Sequence, residues 1–313
     1  MATIAIHGGA GTILRSAMTR ELEADYRDGL TAALNAGWEI LERGGPSLDA
    51  VEAAVISLEN FPLFNSGRGS VFTTEGKNEM DAAIMDGSRL RAGAVAFVQN
   101  VVNPIKLARL VMEQTEHVLL AGTGANQFAA QQGVEMADDA YFFTQHRYDQ
   151  LLEARDRGVV QLDHTVDEAD LITEADERPK GTVGAVACDN AGRLAAATST
   201  GGMTNKKFGR IGDTPIIGSG TYADDVCAVS CTGHGEYFML GATAYDVSAR
   251  MKYQNLTLEQ AAAGTIARLT EIGGEGGLIA VDGRGNVTLP FNSDGMYRAS
   301  VTADGEFIID IYA

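Results

Sequence analysis

The chain has 313 residues, of which 45% are hydrophobic and 21% charged, so it can bury the core of one large domain or of two smaller ones. Its net charge of −18 would repel a phosphate backbone, which argues against nucleic-acid binding. No stretch is apolar for the roughly 18 residues that a membrane-spanning helix needs, and the first residues do not resemble a secretion signal. We therefore predict neither membrane insertion nor classical secretion.

The charge arises from 42 acidic residues against 18 arginines and only 6 lysines. An acid-rich, lysine-poor surface tolerates high salt because screening relieves its self-repulsion, which favours a salt-adapted protein over an ordinary acidic one. Cys188, Cys227 and Cys231 cannot all pair within one chain and match no zinc-binding spacing. We therefore expect buried, reduced thiols and a cytoplasmic protein.

The first half of the chain is predicted to hold one strand followed by helices. Residues 2–6 form a short apolar strand that leads into a glycine turn at 8–11. Apolar residues recur every three or four positions from 21 to 43, which predicts an amphipathic helix. Further helices are predicted over 46–58, 105–114, 126–132 and 138–157, with Asn103 as the N-cap of the second of these.

The second half has a different character. Between residues 161 and 181 the apolar periodicity is lost in an acidic stretch, which we interpret as a mobile linker. Strands are then predicted at 183–188, 193–198, 214–218, 226–231, 277–281, 286–289 and 296–301. Two helices are predicted within this half, over 236–253 and from a capping box at 257–260 to residue 272. This order favours mainly antiparallel sheets covered by helices, an α+β fold.

Several common catalytic motifs are missing from the sequence: it has no His-Glu-x-x-His, no Walker loop and no Gly-x-Ser-x-Gly. Residues 218–223 match a permissive dinucleotide-binding pattern, but strand-like residues follow it where a helix would be needed, so we interpret it as a turn. The unusual feature is the density of hydroxyl side chains and glycines in three segments, 181–184, 198–206 and 230–236.

Threonine is a weak nucleophile unless a base is close to it. An N-terminal α-amine, with a pKa of about 7.7 to 8.0, can take the proton from the hydroxyl of its own residue. Thr182 follows a glycine at the end of the acidic linker, where a break in the chain costs the fold least. The residues alone leave two hypotheses open, an N-terminal nucleophile and a structural threonine at the start of a strand.

Six segments, in this order along the chain, resemble the plant-type asparaginase/isoaspartyl peptidase family of N-terminal nucleophile hydrolases. They are residues 5–11, 62–70, 80–87, 181–187, 198–202 and 232–236. The resemblance extends from about residue 3 to residue 300. It implies a four-layer αββα sandwich, a single domain made as one precursor that cleaves itself between Gly181 and Thr182. An α subunit of residues 1–181 and a β subunit of residues 182–313 would stay associated, as a dimer of αβ heterodimers.

The resemblance also implies roles for individual residues. Thr182 matches the nucleophile of self-cleavage and of substrate hydrolysis, Thr200 the residue that hydrogen-bonds it, and Asn65 the residue that faces the new amine. The side chain of Thr232 and the N–H of Gly233 match the oxyanion hole, and both also border the substrate.

Arg210 and Asp213 match the pair that binds the α-carboxylate and α-amine of an aspartyl group, with Gly235 beside them. On the residues alone, a surface salt bridge in a turn is the alternative for this pair. The implied substrates are small molecules, L-asparagine and β-aspartyl dipeptides, and the reaction needs no cofactor. A structural Na⁺ or K⁺ is implied by a loop whose main-chain carbonyls would hold it, those of Leu58, Glu59, Phe61, Phe64, Ser66 and Arg68.

Two other functional hypotheses remain open. One is a glycosylasparaginase-like hydrolase, which also uses an N-terminal threonine; the Thr-Gly-His-Gly segment at 232–235 and the missing signal peptide favour the plant-type branch. The other is an unprocessed, inactive chain that acts as a binding protein. We expect a structural role for His234, because an N-terminal amine already supplies the base.

Overall fold

A computed structural model of the chain describes residues 2–160, 181–302 and 304–313, so the predicted linker at 161–180 lies outside the described residues. The helices are α1 (Arg20–Glu42), α2 (Ser47–Asn60), α3 (Pro104–Gln114), α4 (Gly122–Gln131), α5 (Asp139–Phe142), α6 (Gln145–Asp156), α7 (Gly235–Gly241), α8 (Thr243–Gln254) and α9 (Leu258–Glu271). The strands are β1 (Thr3–Gly11), β2 (Met80–Asp86), β3 (Arg91–Val98), β4 (Leu119–Ala121), β5 (Val183–Cys188), β6 (Leu194–Thr200), β7 (Thr221–Ala223), β8 (Cys227–Gly233), β9 (Gly276–Asp282), β10 (Val287–Thr288), β11 (Gly295–Val301) and β12 (Phe307–Tyr312).

The strands form two sheets. The larger has eight strands in the order β12-β11-β1-β5-β6-β2-β3-β4, and the smaller has four in the order β10-β9-β8-β7. Every pairing is antiparallel except that of β3 with β4. Helices and sheets are thus mixed in one chain and the sheets are mainly antiparallel, which confirms the predicted α+β class.

Side-chain alternation along the strands divides the buried core into three clusters. The first joins α1, α2 and α3 to one face of the large sheet, where Ile4, Ile6 and Val183 point. The second joins α7, α8 and α9 to the small sheet. The third contains side chains from both sheets, among them Val186 and Ile279. Side chains of the two sheets are therefore in contact with each other in the third cluster.

The first half was predicted to hold one strand followed by helices, but β2, β3 and β4 also lie there. The single helix predicted over 138–157 is two helices, α5 and α6, because Phe143 is extended and the Thr144 side chain caps a new helix.

Three further local predictions were wrong for identifiable reasons. The strand β1 continues through the predicted glycine turn, because a β-bulge between His7 and Gly9 lets the glycines stay paired with β11. Residues 214–218 form turns instead of a strand, with the Asp213 carbonyl accepting the N–H of Ile216. The single helix predicted over 236–253 is two helices, since Ala242 adopts left-handed backbone angles between them.

The start of α3 differs from its prediction. Asn103 does not cap the helix with its side chain; its Nδ2 donates to Asn60 Oδ1 instead. The N–H of Ile105 donates to the buried carboxyl of Glu59, at the end of α2. At α9 the predicted capping box is confirmed, with Thr257 and Gln260 bonding each other's backbone N–H. No helix in the described part of the chain is both long and apolar enough to cross a membrane.

Candidate active site

The hydroxyl-rich segments meet at one end of the two sheets. Along β5, Val183 and Ala185 point to the helices, so their neighbours Thr182 and Gly184 face the small sheet. Thr200, at the end of β6, faces the same way. These strand ends border one small cleft. It is lined by Asn65, Gly181, Thr182, Thr200, Gly202, Met203, Arg210, Gly212, Asp213, Thr214 and Gly233.

Thr182 and Thr200 are hydrogen-bonded to each other. The Oγ1 of Thr182 donates to the Oγ1 of Thr200 at 3.2 Å, and Thr200 Oγ1 also accepts the N–H of Gly202 at 3.0 Å. Both side chains are buried, with relative exposures of 8% and 3%. The backbone bond to Gly202 fixes the Thr200 hydroxyl, so the Thr182 oxygen has a defined position at the cleft.

Asn65 connects the loop after α2 to the residues that follow β6. Its Nδ2 donates to the carbonyl of Gly202 at 2.8 Å, and its Oδ1 accepts the N–H of Val71 at 3.0 Å. Its main-chain carbonyl accepts the N–H of Gly201. Both ends of the amide are held by backbone groups, so Asn65 is a rigid part of the cleft wall.

The predicted oxyanion-hole residues end β8. Gly233 lines the cleft, and a Cβ at its position would lie 2.3 Å from the Glu275 carbonyl, so only glycine fits there. Thr232 is fully buried, and its Oγ1 accepts the N–H of Ala10 at 3.3 Å. Accepting this bond leaves the hydroxyl proton of Thr232 available for donation elsewhere.

Arg210 and Asp213 both line the cleft, but the ion pair of Arg210 is with Glu236. The guanidinium donates from Nε to Glu236 Oε1 at 2.8 Å and from Nη2 to Oε2 at 2.9 Å. Gly235 keeps a space between the two predicted binding groups: a Cβ there would lie 2.8 Å from Asp213 Oδ1 and 3.0 Å from Arg210 Nη2. The structure thus brings the predicted residues together and adds Glu236, which sequence reasoning missed.

The Asp213 carboxyl is buried, and its Oδ2 has no hydrogen-bond partner within the described ranges. Burial raises its pKa to about 7, although the charge of Arg210 opposes that shift. For Glu236, burial alone would raise the pKa, but the hydrogen bonds from Arg210 outweigh it and hold the pKa below its ordinary value. The Glu236 carboxyl is therefore paired with Arg210, whereas the Asp213 carboxyl borders the cleft with one oxygen, Oδ2, that has no partner among the described residues.

His7 is a further residue that sequence reasoning did not place at the site. Its Nδ1 lies 3.0 Å from the carbonyl oxygen of Thr182, and its Nε2 lies 2.8 Å from Ser230 Oγ. Burial lowers its pKa to about 3, so the ring is neutral at physiological pH. The only signal in the sequence was its place in the first of the six family-like segments. His234 contacts Tyr237 and Glu236, and it does not line the cleft.

The predicted cation loop runs from the end of α2 to Arg68. Four of its carbonyls, those of Leu58, Phe61, Phe64 and Ser66, each accept one backbone N–H, which leaves a second lone pair on each oxygen. The buried Ser66 Oγ and Ser70 Oγ find no partner among the described residues. The loop is thus rich in hard oxygen atoms, a donor set that fits an alkali metal ion. No cluster of three or more His, Cys, Asp or Glu side chains able to hold a metal occurs in the parts of the chain that the structure describes.

Comparison with known proteins agrees with the resemblance. A family described as "Asparaginase" matches residues 1–309. The isoaspartyl peptidase of Escherichia coli (strain K12) is 51% identical over 301 residues, covering 95% of this chain and 92% of the relative. The plant-type L-asparaginase of Thermococcus kodakarensis is 45% identical over 303 residues, covering 96% of each chain. The probable isoaspartyl peptidase/L-asparaginase 2 of Arabidopsis thaliana is 43% identical, covering 99% of this chain and 98% of the relative. The chain belongs to the asparaginase family.

Proposed function

We propose that the protein is a self-processing amidohydrolase that converts L-asparagine to L-aspartate and ammonia and cleaves β-aspartyl dipeptides. One observation carries the proposal: the hydrogen-bonded pair Thr182 and Thr200 borders the same cleft as the guanidinium of Arg210 and the carboxyl of Asp213, one oxygen of which has no partner among the described residues. A nucleophile beside one positive and one negative group is what a zwitterionic amino-acid amide requires. The names of the relatives support the same activity.

In the proposed reaction, the Thr182 hydroxyl attacks the side-chain amide carbon of the substrate. The α-amine that cleavage exposes on Thr182 takes the hydroxyl proton and passes it to the leaving nitrogen, which departs as ammonia or as the amine of the second residue. Water then attacks the resulting ester, releasing an aspartyl carboxylate and restoring the hydroxyl. The bond to Thr200 holds the attacking oxygen in place.

The negative charge that develops on the amide oxygen would be stabilised by the Thr232 hydroxyl and the Gly233 N–H. The bond from Ala10 N–H to Thr232 Oγ1 supports this role, because it orients the hydroxyl without using its proton. The loss of one such donor typically costs about 100-fold to 1,000-fold in rate.

Substrate recognition is proposed to use Arg210 for the α-carboxylate and Asp213 for the α-amine. Glu236 occupies the Nε and one Nη2 hydrogen of Arg210, and three N–H groups of the guanidinium remain for a second carboxylate. The gap that Gly235 leaves between the two charged side chains supports a substrate α-carbon at that position.

We further propose that the chain cleaves itself between Gly181 and Thr182 and that its core is a four-layer αββα sandwich. In the cleavage, Thr182 Oγ1 attacks the Gly181 carbonyl, the peptide C–N bond breaks to free the new amine, and water hydrolyses the ester. Gly181 has a left-handed φ of +63°, which glycine adopts without strain and a residue with a Cβ disfavours, and this supports a requirement for glycine at the junction. The three separate core clusters support the layering.

An alkali metal ion, if bound, would be held by the main-chain carbonyls of Leu58, Glu59, Phe61, Phe64, Ser66 and Arg68. It would supply a fixed positive charge that orders this loop. Asn65, inside the loop, would then be held more rigidly against Gly202.

We also propose a dimer of αβ heterodimers in a reducing, cytoplasmic setting. The free thiols of Cys188, Cys227 and Cys231 are all buried, which supports the setting. Phe208 and Leu240 are apolar side chains with relative exposures of 100% and 81%, which supports a covered subunit interface. Light scattering on the purified protein measures the oligomeric state directly.

The decisive experiment compares the wild-type chain with Thr182→Ala. Denaturing electrophoresis and mass spectrometry should show wild-type fragments of residues 1–181 and 182–313, and one intact, inactive chain for the variant. Thr182→Ser keeps a hydroxyl and should process slowly, while Thr243→Ala, which removes a buried hydroxyl bonded to Phe238 O, controls for folding. A wild-type chain that stays intact yet hydrolyses L-asparagine would contradict the proposal. Glycosylated asparagine in the substrate panel tests the glycosylasparaginase alternative.

A further inference from the structure

A chain of buried hydroxyl groups runs from one sheet to the other beneath the cleft and ends at the imidazole of His7. Ser230 Oγ lies 2.8 Å from His7 Nε2 and 2.8 Å from Thr198 Oγ1. Thr221 Oγ1 lies 2.7 Å from Thr198 Oγ1. His7 and Thr198 belong to the large sheet, Ser230 and Thr221 to the small one, and all four side chains are buried with no exposed fraction. At its other end, His7 Nδ1 meets the carbonyl oxygen of Thr182.

The carbonyl at one end gives every bond in this chain a direction. A carbonyl oxygen only accepts, so His7 Nδ1 must bear the proton, and the Nε2 of the neutral ring is then an acceptor. Ser230 therefore donates to His7. Its single proton is used, so Thr198 donates to Ser230 at 2.8 Å, with the Gly220 carbonyl only a longer, second acceptor at 3.4 Å. For the same reason Thr221 donates to Thr198 at 2.7 Å, with the Thr214 carbonyl as the longer, second acceptor of its proton at 3.1 Å.

Gly184 makes room for this chain. It pairs with His7 on β1 and with Thr198 on β6, so it lies between them in the large sheet. A Cβ at Gly184 would lie 2.0 Å from Ser230 Oγ and 2.5 Å from His7 Nε2. The Ser230 hydroxyl thus fills the space of the missing side chain, two residues after Thr182.

At the other end of the hydroxyl network, Thr221 reaches the turn that contains Asp213. Thr221 Oγ1 is 3.1 Å from the carbonyl oxygen of Thr214, and the N–H of Gly220 donates to the Asp213 carbonyl at 3.1 Å. Both the nucleophile candidate and the turn of the proposed amine-binding carboxyl therefore border the same buried network.

We propose that His7 is a positioning residue for Thr182: its Nδ1–H holds the Thr182 carbonyl, and the directed chain Thr221, Thr198, Ser230 fixes the imidazole tautomer that makes this bond. The inference rests on the proposed role of Thr182 as the nucleophile. The hydroxyl and the amine that react both belong to Thr182, the residue whose carbonyl bonds to His7. If this hydrogen bond is lost and the Thr182 backbone shifts, both reacting groups are misplaced.

Two variants of similar polarity separate this role from a general need for a polar core. His7→Asn places an amide N–H where Nδ1 stands, whereas His7→Gln extends its amide to the position of Nε2. We expect His7→Gln to lower kcat on the order of 100-fold, the loss that misplacing a reacting group by about 1 Å can cause. His7→Asn should recover most of that loss, and KM for L-asparagine should change little in either variant.

Variants of the hydroxyl residues test the direction of the hydrogen bonds that end at His7. Ser230→Ala removes the donor to His7 and should lower kcat by about tenfold, while Thr221→Val removes only the first donor and should have the smallest effect. Thr3→Val is the matched control, because Thr3 is a buried threonine on the same strand as His7 whose hydroxyl bonds the Gly285 carbonyl, away from the chain. Melting temperatures of all variants report the structural cost.

Ring-nitrogen chemical shifts of ¹⁵N-labelled His7 measure the tautomer without any activity, in the wild type and in the intact Thr182→Ala chain. They should show a protonated Nδ1 and an unprotonated Nε2. An Nε2–H tautomer would overturn the inference, as would equal kcat losses in His7→Asn and His7→Gln. If both variants fail to fold, the His7 chemical shifts of the wild-type protein still show which ring nitrogen is protonated and so test the inference. Turnover by Thr182→Ala would instead refute the proposed function, so the two failures are distinct.

Discussion

The guanidinium of Arg210 and the carboxylate of Glu236 form a two-point ion pair at the edge of the cleft. The pair orients the plane of the guanidinium before any substrate arrives, and it leaves the remaining N–H groups for a second carboxylate. Glu236 lies just after the predicted oxyanion segment, so one turn would position both the proposed oxyanion hole and Arg210.

Glu236→Gln should raise KM for L-asparagine about tenfold with little change in kcat. The amide keeps one acceptor but loses the charged two-point contact, so Arg210 is held less firmly for the substrate carboxylate. Steady-state kinetics measures the two constants. Glu271→Gln, which alters an exposed ion pair with Arg268, is the control and should leave both constants unchanged. A lower KM in Glu236→Gln would mean that Glu236 competes with the substrate instead of orienting Arg210.

Arg210→Lys should raise KM by more than tenfold, since an ammonium keeps the charge but cannot bind a carboxylate through two parallel bonds. Self-cleavage uses no external carboxylate and should proceed as in the wild type, as denaturing electrophoresis can show. Wild-type kcat/KM on both L-asparagine and β-aspartyl dipeptides would exclude Arg210 as the carboxylate anchor.

The affinity for L-aspartate should rise as the pH passes about 7. Burial raises the pKa of Asp213 to about 7, so below that pH its carboxyl is largely neutral and binds an α-ammonium weakly. Above it the carboxylate is charged and binding strengthens. Calorimetric titration from about pH 5 to about pH 9 measures the dissociation constant. Asp213→Asn should bind weakly at every pH; the same pH dependence in this variant would assign it to another group.

Gly235→Ala should weaken substrate binding while leaving self-cleavage intact. The added methyl would lie 2.8 Å from Asp213 Oδ1 and 3.0 Å from Arg210 Nη2, inside the space proposed for the substrate. We expect KM to rise on the order of tenfold or more, which is about 1.4 kcal/mol of lost binding. Gly124→Ala, at a helical position where a Cβ would meet nothing within 4 Å, is the matched control. Unchanged KM in Gly235→Ala would place the substrate elsewhere.

Stability should rise from low to molar KCl. The 42 acidic residues repel one another in the folded chain, and salt screens this repulsion. Thermal unfolding at increasing KCl measures the effect on the melting temperature, with sorbitol at matched osmolality as the control for exclusion effects. A melting temperature that is constant or falls with KCl would refute salt adaptation and leave the proposed enzyme activity untouched.

Some features of the fold followed directly from local patterns in the sequence. The periodicity of 21–43 and the capping box at Thr257 predicted α1 and the start of α9, because both patterns involve residues only three or four positions apart. The break at Ala242 and the continuation of β1 through its glycines depend on partners distant in sequence, so no local pattern revealed them.

The site residues also divide into those that the sequence revealed and those that depend on partners distant in sequence. The resemblance to the family located Thr182, Thr200 and Arg210, and the structure brings all three to one cleft. The contacts of His7 with Thr182 and Ser230 span 175 and 223 residues along the chain, and the contact of Arg210 with Glu236 joins a loop to a helix start. Such contacts arise only once the sheets have assembled, so the sequence offered no spacing that would predict them.

The order of strands in the large sheet has a consequence for the two proposed fragments. Strand β1 belongs to the first fragment, yet it is paired on one side with β11 and on the other with β5, both from the second. Further along the same sheet, β2 of the first fragment is paired with β6 of the second. The strands of the two fragments are therefore interleaved in one sheet. The fragments cannot dissociate unless β1 loses its hydrogen bonds to both β11 and β5. Dilution should not separate them, labelled fragments should not exchange between molecules, and dissociation should coincide with unfolding.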